Sequence, residues 1–208
     1  MDTLNIPANT DARERVLQAA ERLFAERGYT AVTLRDIAGA VGIRHASLYH
    51  HVPGGKEELF IEVTERSLER HRHGLANALA HAQPNIQAQL RAAADWLLSQ
   101  PPMDLVRMNN SDMPAIDAAH AERLMEMAGN ALLEPLATVL AQAQARGEIH
   151  YHNLWLIAGG LLGMIESLYS APESAIVESG RTRHMMAHDL IDVMLNGLRP
   201  RDRAHEPL

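Results

Sequence analysis

The chain has 208 residues, of which 47% are hydrophobic and 22% charged, and it contains no cysteine. This composition is ordinary for a globular protein that forms a core, and it allows one medium domain or two small ones. The lack of cysteine excludes disulfides, zinc–thiolate sites and thiol catalysis. The formal net charge is −7, which at first sight argues against a polyanionic partner.

Targeting and membrane segments are not expected. The first residues show no basic stretch leading into an apolar one, as a secretory signal would. The most apolar segment, Leu154 to Ile165, has 12 residues, whereas a membrane-spanning helix needs ~20. The sequence therefore predicts a cytoplasmic protein with no membrane partner.

The acidic charge is unevenly distributed along the chain. Residues 1–73 hold ten Lys and Arg against eleven Asp and Glu, and residues 74–208 hold nine against fifteen. Within the first part, the window from Thr30 to Lys56 carries Arg35, Arg44 and Lys56 against the single acid Asp36. The acidity thus belongs mainly to the C-terminal two-thirds, and a short N-terminal window is locally cationic. Charge alone fits a solvated patch equally well.

Apolar residues recur with a helical period throughout the chain. The first predicted helix ends at Gly28, the second begins at an N-cap Thr33, and Pro135 is expected to kink or split a later one. No convincing strand is found, so the predicted fold class is all-α. Further helices are predicted at 33–41, 44–51, 56–82, 85–100, 117–146, 153–170 and 181–198, with an irregular stretch at 103–114.

Residues 33–51 match two short helices joined by a tight turn, the pattern of a helix-turn-helix. Gly42 suits a turn residue with positive φ, and Ala38 is small where the helices would cross. Packing of this kind leaves the outer face of the second helix free to enter a DNA major groove. The alternative is a helical hairpin that binds nothing. The apolar residues that would lock the helices together are Ile37, Ala38, Val41, Ile43 and Leu48.

The outer face of the second helix carries side chains suited to DNA. Arg44 could contact a guanine or a phosphate, and the methyl group of Ala46 suits a thymine methyl. Tyr49, His50 and the hydroxyl of Thr33 are placed to donate hydrogen bonds to phosphate oxygens. The predicted DNA-binding residues are Thr33, Arg35, Arg44, His45, Ala46, Ser47, Tyr49, His50 and Lys56.

The N-terminal region closely resembles the DNA-binding domain of the TetR/AcrR family of one-component transcriptional regulators. The match runs over residues 10–62 and rests on the segments AERLFAERGYTAVT, LRDIAGAVGIRHASLYHHV and PGGKEELF. The turn before Lys56 is one residue longer than the commonest version. The resemblance implies a helix-turn-helix DNA-binding domain at 1–55, followed at 56–208 by an all-α domain that binds an effector and forms a homodimer.

The resemblance also implies a mechanism. A homodimer would bind a palindromic operator as a repressor, and a small effector would shift the long helix from Lys56 and release the DNA. No cofactor is expected.

Two C-terminal helices offer candidate dimer contacts. Gly159 and Gly163 lie four residues apart in an apolar helix, where glycine costs ~1 kcal/mol relative to Ala, so close approach of another helix is expected. The alternative is that both helices are simply buried within one subunit. The candidate interface residues are Gly159, Gly163, Ala187, Leu190, Ile191, Met194 and Leu198.

An effector pocket is suggested by the unusual apolar residues. Ten methionines and two tryptophans accompany only two phenylalanines, which favours a soft, adaptable interior and an apolar or amphipathic effector. Any single methionine could equally be ordinary core. The candidate lining residues are Trp96, Met103, Met108, Asn109, Met113, Met125, Met127, Trp155, Met164, Glu166 and Tyr169.

Two other functional classes are possible in principle. No P-loop, dinucleotide fingerprint or nucleophile elbow is present, so an enzyme is not predicted. A metal-responsive regulator is the alternative, because His184, His188 and Asp192 would share a helix face and His150 and His152 are near in sequence. Without a third firmly placed ligand, these histidines are better explained as surface or interface residues, and no metal site is predicted.

Overall fold

The computed structural model describes residues 8–198, with side chains from residue 12 onward. These residues form helices and no strand, so the all-α prediction is confirmed. Contacts along the chain define two compact units. The first unit runs through Arg70 and adds Met103–Met127, and the second comprises His71–Pro102 and continues from Ala128. The predicted division between residues 55 and 56 is a functional one and stays a prediction.

The first unit begins with three helices. They are α1 (Ala8–Ala31), α2 (Leu34–Val41) and α3 (His45–Leu48). The long helix α4 (Gly55–His81) belongs to this unit as far as Arg70. The remaining elements of the unit are α6 (Leu105–Arg107), a π-helical turn at Met108–Asp112, a 3-10 turn at Met113–Ala115, and α7 (Ala118–Ala128) up to Met127.

The core of the first unit is aromatic where α1 ends. Phe24 packs edge to face on Phe60, with ring centroids 5.2 Å apart, and Tyr29 lies 4.9 Å from Phe60. Ile37 and Leu48 are fully buried, as the helix-turn-helix pattern requires. Gly28 breaks α1 with φ 78° and ψ 167°, so the end predicted there is a break, and helix resumes as far as Ala31.

The second unit contains the remaining helices. They are α5 (Ile86–Leu98), α8 (Glu134–Ala145), α9 (Leu154–Ser167), α10 (Glu173–Ser179) and α11 (Arg183–Leu198), together with a π-helical stretch at Gly129–Leu133 and a 3-10 turn at Leu168–Ser170. The predicted interruption near Pro135 is present as the π-helical stretch before it, because proline lacks an N–H and crowds the preceding turn. Helix α10 was not predicted.

Among the described residues, no single helix is both long and apolar enough to cross a membrane. The segment 154–170 and helix α10 reach that length only together, and they are bent by 99°.

Candidate nucleic-acid interface

Helix α2 begins at a reciprocal capping box. The Thr33 hydroxyl oxygen accepts a hydrogen bond from the Asp36 N–H at 3.2 Å, and the Asp36 carboxylate accepts one from the Thr33 N–H at 2.8 Å. The Thr33 hydroxyl also donates to Asp36 at 2.6 Å, and these bonds hold the pKa of Asp36 below its usual value. The hydroxyl proton predicted to reach a phosphate is therefore directed at Asp36.

The turn between α2 and α3 depends on Gly42. Its φ of 76° and ψ of 29° are left-handed, a conformation that glycine adopts without steric cost. The N–H of Ile43 donates to the Ala38 carbonyl at 3.0 Å and closes the turn. This geometry sets the direction in which α3 leaves α2.

Helix α3 is shorter than predicted. It spans His45–Leu48 rather than 44–51, and the chain continues as turns in which the His51 N–H donates to the Leu48 carbonyl. Pro53 disfavours helical geometry at Val52 and so bars a longer helix beyond that point.

The outer face of α3 is accessible. Arg44, His45, Ala46 and His50 are exposed, Tyr49 is 48% exposed, and Ser47 is half-buried. The His45 and Tyr49 rings pack edge to face with centroids 5.2 Å apart. The predicted face of base and phosphate contacts is thus presented as one surface, while Leu48 anchors the helix from behind.

An open cleft lies beside this surface. Five of the predicted DNA-binding residues line it, together with three that the sequence did not single out, Thr30, Val32 and Leu34. The predicted residues in the cleft are Thr33, Arg35, His45, Tyr49 and Lys56. Thr30 lies in the last turn of α1, Val32 in the connection and Leu34 at the start of α2. No chemical signal distinguishes these three residues in the sequence.

Lys56 was predicted to contact a DNA phosphate, but in the structure its ammonium group points to backbone carbonyls of the protein. Its ammonium nitrogen donates to the backbone carbonyls of Tyr29 at 2.8 Å and Val32 at 3.0 Å, and it sits 4.0 Å from the centroid of the Tyr29 ring. Partial burial lowers the pKa of Lys56. Two of its three N–H bonds are committed within the protein, so its first role is to tie the start of α4 to the end of α1.

Residues 16–63 match the family model of bacterial regulatory proteins of the tetR family. Among curated proteins, the chain is 42% identical over 69 residues to the HTH-type transcriptional regulator LmrA of Bacillus subtilis. It is 44% identical over 68 residues to the HTH-type transcriptional repressor KstR2 of Mycolicibacterium smegmatis. These matches take in 33% of this chain, and 37% and 32% of the two relatives. The chain thus matches only about a third of these relatives' length.

Solved structures extend the likeness to the whole fold. The TetR family regulator PfmR from Thermus thermophilus superposes with a TM-score of 0.66 at 24% identity, over 89% of this chain and all of that one. AibR, solved in complex with isovaleryl coenzyme A and operator DNA, gives a TM-score of 0.68 at 20% identity, over 91% of this chain and 98% of that one.

Residues 16–63 are a TetR-family helix-turn-helix domain. The accessible face of this helix-turn-helix is the outer side of α3.

The candidate dimer residues divide into three groups by exposure. Gly159 and Gly163 are exposed on α9, and a Cβ added at either position would meet no atom within 4 Å. Ala187 and Ile191 were expected at the interface, but both are fully buried in the second unit, where α11 packs against α5. They have no surface left for a partner, so this part of the expectation is corrected. Three members of the predicted α11 set keep partial exposure, namely Leu190, Met194 and Leu198.

The candidate pocket residues do not all lie in one unit. The six in the first unit are Met103, Met108, Asn109, Met113, Met125 and Met127, and the five in the second are Trp96, Trp155, Met164, Glu166 and Tyr169. Asn109 is exposed and Trp155 is 55% exposed, so neither lines a closed cavity within its own unit.

Tyr169 has a structural task. Its hydroxyl reaches the carbonyls of Leu97 at 2.5 Å and Gln100 at 2.8 Å, where α5 ends. Burial, with a smaller contribution from Glu166, raises the pKa of Tyr169 to about 12.

Most of the residues considered for a metal site have other partners. The His188 Nε2 lies 2.8 Å from the Asp95 carboxylate, and Asp192 accepts hydrogen bonds from Gln87 at 2.8 Å and Arg91 at 2.7 Å. His150 and His152 form an edge-to-face ring pair 5.2 Å apart. Among the side chains that the structure describes, no three His, Asp or Glu come together as a metal-ion site would need.

Proposed function

We propose that this chain is a transcriptional repressor that binds a palindromic operator as a homodimer and is released by a small apolar or amphipathic effector. The observation that carries the proposal is the accessible face of α3, held by a buried Leu48 and a capped α2 in a TetR-family fold. KstR2, similar over a third of this chain, is itself described as a repressor.

The DNA contacts are proposed for the residues of this face. Arg44 stands at the start of α3, where a major-groove helix meets base edges, and a forked arginine on guanine is the commonest specific contact. Tyr49 and His50 at the other end of the helix suit phosphate oxygens. Arg35 and His45 line the adjoining cleft and extend the surface.

Dimerisation is proposed through the open face of α9. Trp155 is 55% and Leu156 68% exposed, and the glycines that follow at positions 159, 160 and 163 are also exposed. A large apolar patch rimmed by polar residues is typical of an interaction surface. A second copy of this helix would cover the patch. A dimer formed in this way has to hold two α3 helices one DNA turn apart, ~34–36 Å, to bind a palindromic operator.

The effector is proposed to be apolar or amphipathic because of the methionine-rich composition. AibR, similar in fold, was solved with isovaleryl coenzyme A, a molecule of this type. The proposed dimer has two states, which differ in the distance between its two α3 helices. Release requires only that the effector bind these two states with different affinity, typically ~1–3 kcal/mol of coupling. Helix α4 is continuous from Gly55 to His81 and so is the element that would transmit the change.

The operator itself supplies the test. Purified full-length chain is used to select binding sequences from a random double-stranded library, and the enriched DNA is titrated by fluorescence anisotropy. We expect an inverted repeat that the Arg44→Ala variant binds more weakly by roughly 1–3 kcal/mol per contacted half-site. Arg181→Ala removes the same charge from an exposed site in the second unit and serves as the control. Failure to enrich any inverted repeat at low salt contradicts the proposal.

A further inference from the structure

The break in α1 is filled by two side chains from far along the sequence. Arg107 donates from its guanidinium to the carbonyls of Phe24 at 3.1 Å and Ala25 at 2.7 Å, and Asp112 accepts the Tyr29 N–H at 2.8 Å. The groups on both sides of Gly28 are thereby satisfied by one acid and one base. A helix end without such partners would leave buried polar groups unpaired.

The fit at this point is close. Asp112 is 4% exposed, and its carboxylate lies 3.6 Å from the Arg107 guanidinium. A Cβ at position 28 would come within 3.0 Å of the Asp112 carboxylate and 3.1 Å of the Arg107 side chain. A buried carboxylate costs free energy unless it is paired and hydrogen-bonded. Loss of either partner of Asp112, the Arg107 guanidinium or the Tyr29 N–H, is therefore expected to be destabilising.

The same stretch of chain also contacts the start of α4. Glu57, in the first turn of α4, accepts the Asp117 N–H at 3.0 Å and lies 3.2 Å from the His120 ring nitrogen. These two bonds hold the pKa of Glu57 below its usual value. We call residues 104–120 the clasp segment, because it holds α1 at one end and α4 at the other.

The two attachment points frame the recognition helix. Tyr29 precedes the connection from α1 to α2, and Glu57 follows the turn after α3. Lys56 links these points directly through the Tyr29 and Val32 carbonyls. Helices α2 and α3 thus lie between the end of α1 and the start of α4, and the clasp segment contacts both of these helices.

We propose that the clasp segment fixes the orientation of α3, and that Arg107 and Asp112 are positioning residues for operator recognition. This inference rests on the proposed DNA-binding function. Neither residue need touch DNA, because each acts by holding the α1 break in one conformation. Without these contacts α3 can still bind DNA, but it is no longer held in the one orientation that two paired half-sites require.

The test compares full-length Arg107→Met and Asp112→Asn with wild type. Asp112→Asn keeps an oxygen acceptor for the Tyr29 N–H and removes only the charge. Arg123→Met is the matched control, since it also removes an arginine of the first unit, one whose ion pair is with Glu65 of α4. Thermal unfolding first identifies the variants that fold.

Binding is then measured on the selected operator, on operators with one and two base pairs inserted between half-sites, and on random DNA. We expect both variants to lose at least tenfold in operator affinity and to discriminate less between spacings, while affinity for random DNA stays within twofold. Folded variants that keep wild-type affinity and spacing preference overturn the proposal. An equal loss on every DNA also overturns it, because that result indicates general damage to the binding surface.

Hydrogen exchange separates this inference from the DNA-binding function. Amide exchange of residues 29–52 is followed in the free protein. We expect at least tenfold faster exchange in Arg107→Met and Asp112→Asn than in wild type or Arg123→Met. Unchanged rates overturn the role of the clasp segment, whereas accelerated rates support it even where no operator is found. If a variant fails to fold, Arg107→Lys, which keeps the charge but loses the fork, takes its place.

Discussion

Thr33 and Asp36 decide where α2 begins. Each side chain pairs with the other residue's backbone N–H, and the hydroxyl and carboxylate also bond to each other. Two donors of the helix terminus are thereby satisfied within four residues. Because α2 supports α3, the capping box stabilises the recognition surface without being part of its outer face.

Replacement of Thr33 measures this contribution. We predict that Thr33→Ala lowers the free energy of unfolding by about 1 kcal/mol, the usual effect of removing an N-cap side chain. Urea unfolding followed by circular dichroism measures the change. The matched control is Thr138→Ala, at an exposed position inside α8, which is expected to be neutral or slightly stabilising because Ala is the better helix former. Equal losses in the two variants would contradict a capping role.

The capping box also predicts a pH dependence. The pKa of Asp36 is lowered by its bonds from Thr33, so its stabilising contribution is present above the carboxyl's unfolded pKa and is lost as pH falls through the lower folded pKa. Asp36→Asn does not titrate. We therefore predict that the stability difference between wild type and Asp36→Asn shrinks as the pH is lowered from about 6 toward 3. A constant difference over that range would rule out this linkage.

Tyr169, in the 3-10 turn after α9, contacts the end of α5. Its hydroxyl lies within hydrogen-bond distance of two carbonyls, and burial displaces its pKa to about 12. We predict that Tyr169→Phe lowers the free energy of unfolding by roughly 1–2 kcal/mol, because buried carbonyls lose their partner. Chemical denaturation provides the measurement, and Tyr49→Phe, at an exposed ring, is the control. No loss in Tyr169→Phe would show that the carbonyls find other donors.

At the scale of helices, the sequence predicted the regular elements and missed those set by distant contacts. Gly28, Gly42 and Pro135 act locally, so their breaks were visible in the sequence. Helix α3 is shorter than its pattern, and α10 follows Pro172 in a stretch without a clear apolar stripe.

At the candidate site, too, the sequence predicted what local spacing determines and missed contacts between residues far apart in the chain. Exposure of Arg44, Tyr49 and His50 follows from the spacing of the buried Leu48, so that surface could be predicted. The bonds of Arg107 and Asp112 to α1 span 82 or 83 positions in the chain, and periodicity carries no information at that range. The inward position of Lys56 could not be predicted for the same reason, because its carbonyl partners Tyr29 and Val32 lie 27 and 24 positions away in the sequence.

Helix α9 presents glycines where a larger residue would stabilise the isolated helix. Gly159 and Gly163 have open space around them, and glycine in a helix interior costs ~1 kcal/mol relative to Ala. Close approach of a second copy is the compensation we infer for that cost. A side chain introduced there is therefore expected to prevent dimerisation without harming the subunit.

We predict that Gly163→Leu converts a dimer into a folded monomer. Size-exclusion chromatography with light scattering measures the mass, and circular dichroism verifies the helix content. Gly39→Leu is the matched control, because Gly39 is likewise exposed in a helix with nothing within 4 Å, but lies on α2. A Gly163→Leu protein with wild-type mass would show that α9 does not form the interface.

At the scale of the whole molecule, charge is separated along the chain. Residues 74–208 hold fifteen acidic against nine basic residues, while the window from Thr30 to Lys56 holds three basic residues and one acid. The structure divides that small cationic set further. Arg35 and Arg44 are exposed, and Lys56 spends two of its N–H bonds on carbonyls. Few cations of this window then remain for phosphate, so in the proposed homodimer the second subunit is expected to add to the affinity for DNA.

This division predicts different behaviour for two single-charge losses. Each neutralised phosphate contact contributes about −0.9 to the slope of log affinity against log salt. We predict that Arg44→Ala flattens this slope and leaves the unfolding midpoint nearly unchanged. Lys56→Met is expected to lower the unfolding midpoint, because the Tyr29 and Val32 carbonyls lose a charged donor, and to change the slope less. Salt titrations of operator binding and thermal unfolding are measured on the same preparations. If Lys56→Met flattens the slope as much as Arg44→Ala and unfolds at the wild-type temperature, then Lys56 turns outward to phosphate when the protein binds DNA.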